Sequence, residues 1–352
     1  MLSKLPEVLS SYDAGTALVI TDPGVASAGI ADRVCGLTET AGFRPVVWDR
    51  VRPNPRTSTV DEVAARYRDS RVRVVVGIGG GSVLDAAKGI ALMLQNSGPV
   101  AQYQGRNRFP NGSAPFVAIP TTCGTGSEVT WVSVLTSEAE RRKISVKGDR
   151  MFPAWAIADS ELLASLPEHL IATTAMDAAT HAVEAAVGRQ ANPASDALAA
   201  GALRRILDHL ESAVERRTPK SLTALMEAST LAGMAFGNAD VAGVHCLSEA
   251  IGGRHDLPHG ALNAALLVPV LRYQEREAAG KLNTLGEACG TPDLLSALET
   301  LSRAVGIPSF RELRVPREDY EPIAREAEQN GSNGSNPRTM TAADYLAILR
   351  EL

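Results

Sequence analysis

The first 160 residues alternate between short apolar runs rich in β-branched residues and amphipathic stretches. The apolar runs TALVITD, PVVWD, VRVVVGIGG and PFVAIPTT have the length of β-strands and end in glycine, aspartate or threonine. Stretches with a helical pattern, such as DEVAARYRD and VLDAAKGIALML, lie between several of them. This alternation is typical of strands joined by crossover helices, so it predicts a parallel, doubly wound α/β sheet.

The chain changes in character near residue 160. Beyond AWAIADSELLASLPEHL it is rich in alanine and leucine and shows helical patterns with almost no strand signal. One of them begins with Asn192 as a helix N-cap and Pro193 at the first helical position. We therefore expect an α/β domain over residues 1–160 and an all-α domain over residues 161–352.

Composition excludes several classes of partner. A formal net charge of −5 offers no general attraction to nucleic acid or to an anionic membrane surface. No window approaches the roughly 18 to 20 apolar residues that a membrane span needs, and the N-terminal stretch has no export pattern. The four cysteines form no CxxC pair, so neither a disulfide framework nor a thiolate zinc site is indicated. We expect a cytoplasmic protein without nucleic-acid or membrane partners.

The segment VVVGIGGGSVLDAAK has the pattern of a strand, a glycine-rich turn and an amphipathic helix. The turn consists of Gly79, Gly80, Gly81 and Ser82. Its bare backbone lets amide N–H groups and the helix N-terminus approach a phosphate. It departs from the standard dinucleotide fingerprint, because Ser82 stands at the third glycine position and no acidic residue follows about twenty positions later. Glycines required only by a tight turn are the alternative explanation.

A second loop of small residues, IPTTCGTGSEVT, follows another predicted strand. Its hydroxyl-bearing residues are Thr121, Thr122, Thr125 and Ser127. Open α/β sheets bind ligands at the carboxyl ends of their strands, where both loops are expected to lie. The two loops together therefore favour a dinucleotide or phosphorylated ligand more strongly than either loop alone.

The stretch MDAATHAVEA places an acid and an imidazole four residues apart. In a helix, Asp177 and His181 would project from one face, with Glu184 beside them. Such a pair suits half of a divalent metal site, an acid/base couple or a surface ion pair. The ion pair is the commonest outcome when the pair is taken alone.

Half of the six histidines fall in one short window of the helical part, at His245, His255 and His259. We expect His245 to lie on a helix that ends at Gly252 and Gly253, and His259 to stand just before the next helix. With Asp177 and His181, His245 and His259 would make a set of one carboxylate and three imidazoles. That set suits Fe(II) or Zn(II) and does not suit Ca(II) or Mg(II). A single histidine in a core, satisfied by hydrogen bonds, is the usual alternative.

These motifs together resemble the iron-containing alcohol dehydrogenase family, the metal-dependent group III enzymes related to the dehydroquinate synthase-like fold. The resemblance runs nearly end to end, in the order VITD, PNPRTSTV, GIGGGSVLDAAK, IPTTCGTGSEVT, MDAATHAVEA, VHCLSEAIGG, LPHGALNAALLVPVLRY and NPRTMTAADYLAILREL. It implies an N-terminal α/β dinucleotide-binding lobe that takes NAD(P), and an all-α C-terminal metal-binding lobe. The metal, Fe(II) or Zn(II), would be held by Asp177, His181, His245 and His259.

The activity implied by the resemblance is that of an oxidoreductase acting on CH–OH groups. An NAD(H)-linked alcohol dehydrogenase, or aldehyde or ketone reductase, would transfer hydride between the nicotinamide C4 and a small alcohol or carbonyl at the metal. The resemblance also implies a homodimer. The alternatives are a maleylacetate reductase-like enzyme, a dehydroquinate synthase-like lyase and a degenerate paralogue that binds cofactor without turnover.

The resemblance also assigns cofactor contacts. The pyrophosphate would be held by Gly79, Gly80, Gly81 and Ser82, and the adenine and nicotinamide would be flanked by Thr121, Thr122, Thr125 and Ser127. Asp85 either caps backbone amides or touches the cofactor. Asp22 matches the position that faces the adenosine ribose, where a carboxylate accepts from the 2′-hydroxyl and repels a 2′-phosphate. We therefore expect NAD to be preferred over NADP.

One position departs from the family pattern. Many members carry a second histidine four residues after the first downstream metal histidine, where this chain reads HCLSE with Glu249. As candidates for the acid/base role we name Glu249 itself and His255. Glu249 could instead recognise a cationic or polyhydroxylated substrate group, or have no role. For Glu184 we expect either contact with the His181 ring or a solvated side chain.

Overall fold

A computed structural model describes residues 1–352. It divides into two compact units, the first made of residues 1–122 and 127–165 and the second of residues 123–126 and 166–352. The boundary expected at residue 160 lies five residues before the end of the first unit. The short segment 123–126, which follows the strand Phe116–Pro120, belongs to the helical unit, and this assignment was not expected from the sequence.

The first unit is built on a five-stranded parallel sheet. Its strands, in the spatial order β2-β1-β3-β5-β8, are β2 (Arg44–Trp48), β1 (Thr16–Ile20), β3 (Val72–Gly79), β5 (Phe116–Pro120) and β8 (Trp155–Ala156). Alternate residues of β1 enter two different hydrophobic clusters, Leu18 and Ile20 in one and Ala17 and Val19 in the other. Because the central strands β1, β3 and β5 are buried, they are mostly continuous apolar runs. The predicted parallel α/β architecture is confirmed.

A second, three-stranded sheet in this unit was not predicted. It has the order β4-β7-β6, with β4 (Gly105–Arg106), β7 (Arg142–Lys147) and β6 (Val132–Ser137). Strands β6 and β7 form an antiparallel hairpin, with Leu135 opposite Ile144. The strands combine few apolar residues with serine, lysine and arginine, so the sequence carries only a weak strand signal there.

The helices follow the change in pattern along the chain. Those of the first unit are α1 (Leu5–Leu9), α2 (Pro23–Ser27), α3 (Ile30–Thr40), α4 (Thr57–Tyr67) and α5 (Gly81–Met93). Those of the second unit are α6 (Glu168–Val187), α7 (Pro193–Glu215), α8 (Pro219–Ala239), α9 (Gly243–His255), α10 (His259–Tyr273), α11 (Glu275–Ala288), α12 (Leu294–Ala304), α13 (Tyr320–Gln329) and α14 (Ala342–Glu351). The predicted all-α C-terminal region is confirmed. No helix combines the length and the apolarity needed to cross a membrane.

Helix ends were predicted with mixed success. Asn192 caps α7 as expected, and its side chain accepts hydrogen bonds from the N–H groups of Ala194 and Ser195. The expectation that the next histidine-bearing helix stops at Gly252 was wrong, since α9 continues to His255 and ends at Asp256 in the left-handed conformation. Glycine is tolerated within a helix at a modest cost, so its presence alone does not fix the end.

Candidate functional site

Three elements of the helical unit bring together a carboxylate and three imidazoles. Asp177 and His181 lie one turn apart on α6, His245 is the third residue of α9, and His259 is the first residue of α10. One potential ligand atom from each of Asp177, His245 and His259 lies within 4.8 Å of the others. Asp177 and His245 are buried and His259 is half-buried. The structure therefore gathers these residues from separate parts of the sequence.

His181 completes the group. Its Nε2 lies 3.0 Å from His245 Nε2, and its Nδ1 lies 4.0 Å from Asp177 Oδ1. The imidazole stacks on Phe236, with the ring centroids 4.3 Å apart and the planes inclined by 20°. This stacking holds the ring in one orientation beside the other three side chains.

Asn263 lies in the middle of the group and was missed by sequence reasoning. Its Nδ2 lies 2.6 Å from Asp177 Oδ1, 3.1 Å from His245 Nε2 and 3.0 Å from His259 Nε2. A single donor thus faces three acceptor atoms that converge on one small volume, which is the environment that a cation requires. Asp177, His245 and His259, with His181 beside them, therefore fit a divalent metal. The only signal in the sequence is the spacing HGALN, which places Asn263 one turn after His259.

Burial and charge keep the group ready to bind a cation. Burial lowers the pKa of His181 to about 4, so its imidazole is neutral near pH 7 and offers a lone pair. Burial by itself would raise the pKa of Asp177, but the three facing imidazoles and the Asn263 amide outweigh burial and lower this pKa below its ordinary value. Asp177 is therefore ionised.

The glycine-rich turn is packed too tightly for side chains. A Cβ added at Gly79 would lie 2.5 Å from Val83 Cγ2, and one added at Gly80 would lie 2.9 Å from Thr122 Cγ2. Gly80 is the N-cap of α5, so Gly81 and Ser82 form the first residues of the helix, whose N–H groups have no partner within it. Close packing accounts for the glycines, and the same turn leaves helix N-terminal donors suited to an anion.

Two family models, one for each part of the chain, identify the family. A model described as iron-containing alcohol dehydrogenase matches residues 1–160, and one described as the C-terminal part of the Fe-containing alcohol dehydrogenase family matches residues 171–352. The chain belongs to the iron-containing alcohol dehydrogenase family. The resemblance inferred from the sequence motifs is thereby confirmed.

Relatives cover almost the whole chain. Alcohol dehydrogenase 4 of Saccharomyces cerevisiae is 33% identical over 99% of this chain and 94% of its own length. The crystal structure of a 1,3-propanediol oxidoreductase superposes with a TM-score of 0.94 at 35% identity, covering 99% of this chain and 95% of that one. A sulfoacetaldehyde reductase from Bifidobacterium kashiwanohense, solved in complex with NAD+, gives a TM-score of 0.88 at 26% identity, covering 100% of this chain and 94% of that one.

In this member of the iron-containing alcohol dehydrogenase family, the environment of Glu184 differs from the one expected. It is buried rather than solvated, and its carboxylate contacts His245 instead of His181. The Oε2 atom lies 2.6 Å from His245 Nδ1. The sequence spacing places Glu184 on the correct face of α6, but it contains no information on which ring from another helix would meet it.

The two acid/base candidates lie on the same helix, Glu249 near its middle and His255 at its C-terminal end. Glu249 follows His245 by four residues, a rise of about 6 Å along α9, and its Oε2 accepts a hydrogen bond of 2.7 Å from Asn330 Nδ2. His255 follows His245 by ten residues, a rise of about 15 Å, and its Nε2 lies 3.2 Å from Asp319 Oδ2. Of the two residues, only Glu249 lies within one helical turn of the ligand group.

Asp22 and Asp85 both bind protein groups. Asp22 lies two residues after the end of β1 and caps α2. Its Oδ1 accepts hydrogen bonds from the N–H groups of Gly24 and Val25. Because both bonds use Oδ1, Oδ2 remains able to accept from a ligand. Asp85 uses both oxygens, one accepting from Ser127 Oγ at 2.6 Å and the other from the Val134 N–H at 2.9 Å.

The loop of small residues is divided between the units. Thr121 donates its N–H to the Gly79 carbonyl, which ties the start of the loop to the glycine-rich turn. Thr122 lies against Gly80. Thr125 belongs to the segment 123–126 of the helical unit. Ser127 is buried and accepts a hydrogen bond from the buried Lys88 ammonium, so its side chain is part of a buried hydrogen-bond network in the first unit.

Proposed function

We propose that the protein is a metal-dependent, NAD(H)-linked alcohol dehydrogenase or aldehyde and ketone reductase. The observation that carries the proposal is the convergence of Asp177, His245 and His259 on a single volume in a member of this family. His181 lies beside them, with its Nε2 3.0 Å from His245 Nε2. Its relatives named above include an alcohol dehydrogenase and a 1,3-propanediol oxidoreductase, so the proposed substrates are small alcohols and the corresponding carbonyl compounds.

Fe(II) or Zn(II) is the proposed ion, because a carboxylate with three imidazoles suits both. Its chemistry, when bound, is that of a Lewis acid toward a substrate oxygen during hydride transfer. The surrounding helices would hold the four ligand side chains in place around the ion. The ionised Asp177 supplies negative charge, and the neutral imidazole of His181 supplies a lone pair.

NAD is the proposed dinucleotide, in preference to NADP. The N-terminus of α5, with Gly80, Gly81 and Ser82, supplies N–H donors for the pyrophosphate. The carboxylate of Asp22 would accept from the ribose 2′-hydroxyl and repel a 2′-phosphate. A structural relative was solved with NAD+, which supports this class of cofactor. The homodimer implied by the family resemblance stays a prediction.

Glu249 is the proposed acid/base group, since it lies one turn from His245, whereas His255 lies at the far end of α9. The variant Glu249→Gln keeps the size of the side chain and its acceptor for Asn330. We expect it to lower kcat and to remove one limb of the pH–rate profile. His255→Gln, the matched change on the same helix, should leave both unchanged. An unaltered profile in Glu249→Gln would assign the proton transfer to another group.

Net cofactor turnover tests the proposed function. Anaerobically prepared protein, loaded with Fe(II) or Zn(II), is mixed with NADH and a panel of small aldehydes and ketones that includes maleylacetate. We expect NADH oxidation that matches the amount of alcohol formed. In a parallel assay with a phosphorylated lyase substrate, product formation without net loss of NADH would favour the lyase alternative. NAD(H) binding without any turnover would favour the degenerate paralogue.

A further inference from the structure

Glu184 is a buried acid without a place in the ligand set. It lies on α6 three residues after His181 and seven after Asp177, on the same face of the helix. Its side chain is 2% exposed. A buried carboxylate is costly unless hydrogen-bond donors surround it, so its partners indicate its purpose.

Three donors from the start of α9 meet this one carboxylate. Oε2 accepts from the Ala242 N–H at 2.9 Å, and Oε1 accepts from the Val244 N–H at 2.6 Å. Ala242 is the N-cap of α9 and has no side chain able to cap it. Glu184 therefore caps the helix from outside, and its negative charge lies at the positive end of the helix dipole.

The third donor is the ring of His245. Its Nδ1 lies 2.6 Å from Glu184 Oε2, a short distance typical of a charge-assisted bond. A ring that donates from Nδ1 keeps its Nε2 lone pair available. That Nε2 faces the ligand group, at 3.0 Å from His181 Nε2 and 3.1 Å from Asn263 Nδ2. One carboxylate thus fixes both the backbone that carries His245 and the orientation of its ring.

We propose that Glu184 is a positioning residue of the metal centre: it holds His245 with Nε2 toward the metal and supplies the site with a second negative charge. This inference rests on the proposed metal-dependent function. Asp177 and Glu184 together carry two negative charges, which match a divalent ion. Carboxylates that accept from the second nitrogen of a metal-binding histidine raise its basicity and fix its ring.

Metal affinity tests the proposal without reference to activity. The apparent Kd for Zn(II) and Co(II) is measured by chelator competition for the wild type, Glu184→Gln and Glu184→Ala. We expect Glu184→Gln to bind about 10- to 100-fold more weakly, because an amide can accept from the ring but cannot serve all three N–H donors. Glu184→Ala should bind more weakly still, and the Co(II) absorption bands should change in both variants.

A control separates positioning from simple stabilisation. Asp344 also serves as an acid at a helix start in the same unit, accepting from the N–H and hydroxyl of Thr341 at α14. Asp344→Asn should lower the Tm while leaving metal affinity and the Co(II) spectrum unchanged. A Glu184→Gln protein that binds metal like the wild type, with an unchanged spectrum, would overturn the role of Glu184 while leaving the proposed function intact. A wild type that binds no metal would overturn the proposed function itself.

The metal-loaded wild type provides a check that does not depend on the folding of variants. Its crystal structure should show His245 bonded to the metal through Nε2 and hydrogen-bonded to Glu184 through Nδ1. Coordination through Nδ1, or separation of Glu184 from the ring, would contradict the proposal.

Discussion

Asn263 Nδ2 donates a hydrogen bond of 2.6 Å to Asp177 Oδ1, within a group of side chains suited to a cation. In the metal-free protein this amide is the donor that compensates the buried carboxylate. A bound metal would take over much of that compensation. The hydrogen bond from Asn263 should therefore contribute more to the stability of the metal-free protein than to that of the metal-bound protein.

We predict that Asn263→Ala destabilises the metal-free protein by about 1 to 3 kcal/mol and the metal-loaded protein by less. Urea unfolding with and without saturating Zn(II) measures both values. Asn238→Ala, which removes an exposed amide on α8, is the control and should change either value little. Equal losses in the two forms would show that Asn263 has no special relation to the cation site.

Asp22 is expected to set the cofactor preference. Asp22→Asn keeps an efficient N-cap for α2 but removes the charge, so stability should hardly change. The ratio of kcat/KM for NADPH to that for NADH should rise by about tenfold or more, since the repulsion of a 2′-phosphate is lost. Steady-state kinetics with both cofactors measures the ratio. An unchanged ratio, or a wild type that uses both equally, would contradict the expected role.

Gly79 in the glycine-rich turn and Gly36 in α3 allow a matched pair of Gly→Ala substitutions in the first unit. Gly79→Ala would place a Cβ 2.5 Å from Val83 Cγ2, so we expect a loss of about 1 to 3 kcal/mol in unfolding free energy. Gly36 lies within α3 with no atom within 4 Å of an added Cβ. Gly36→Ala should therefore stabilise the protein by about 0.5 to 1 kcal/mol. Chemical denaturation measures both changes in unfolding free energy. An unchanged stability of Gly79→Ala would show that close packing does not explain the glycine at this position.

His181 should make the metal-free protein sensitive to acid. Burial lowers its pKa from 6.5 to about 4, so between these values the unfolded state binds more protons than the native state. The unfolding free energy should then fall as the pH is lowered through this window, by up to about 3 kcal/mol. His181→Gln lacks this group and should show a shallower dependence in urea titrations with a chelator present. Parallel curves for the two proteins would contradict the assignment.

The features that could be predicted from the sequence are those governed by local pattern. The buried run Thr16–Ile20 and the cap at Asn192 follow from hydrophobic period and helix-end chemistry, which act over a few residues. The ligand candidates followed from residue type and spacing. Their convergence depends on how α6, α9 and α10 pack, and spacing within one helix cannot reveal it.

The features that were missed depend on contacts between distant residues. Glu184 was expected either to contact His181, on the same helix, or to be solvated, but it is buried and its donors come from residues 242–245. Asn263 has no pattern that marks it as part of the site, because its role arises only where three acceptors face it. The hairpin of β6 and β7 pairs sparse apolar residues across strands, which a single-strand pattern does not capture.

The central claim is that Asp177, His181, His245 and His259 hold a metal ion. Elemental analysis of anaerobically purified protein tests it most directly, with Asp177→Ala and His259→Ala beside the wild type. His169→Ala, at an exposed position of α6, is the control. We predict about one Fe or Zn per chain in the wild type and in His169→Ala, and loss of the metal in the other two. Absence of metal from the wild type after reconstitution, or full occupancy in Asp177→Ala, would contradict the claim.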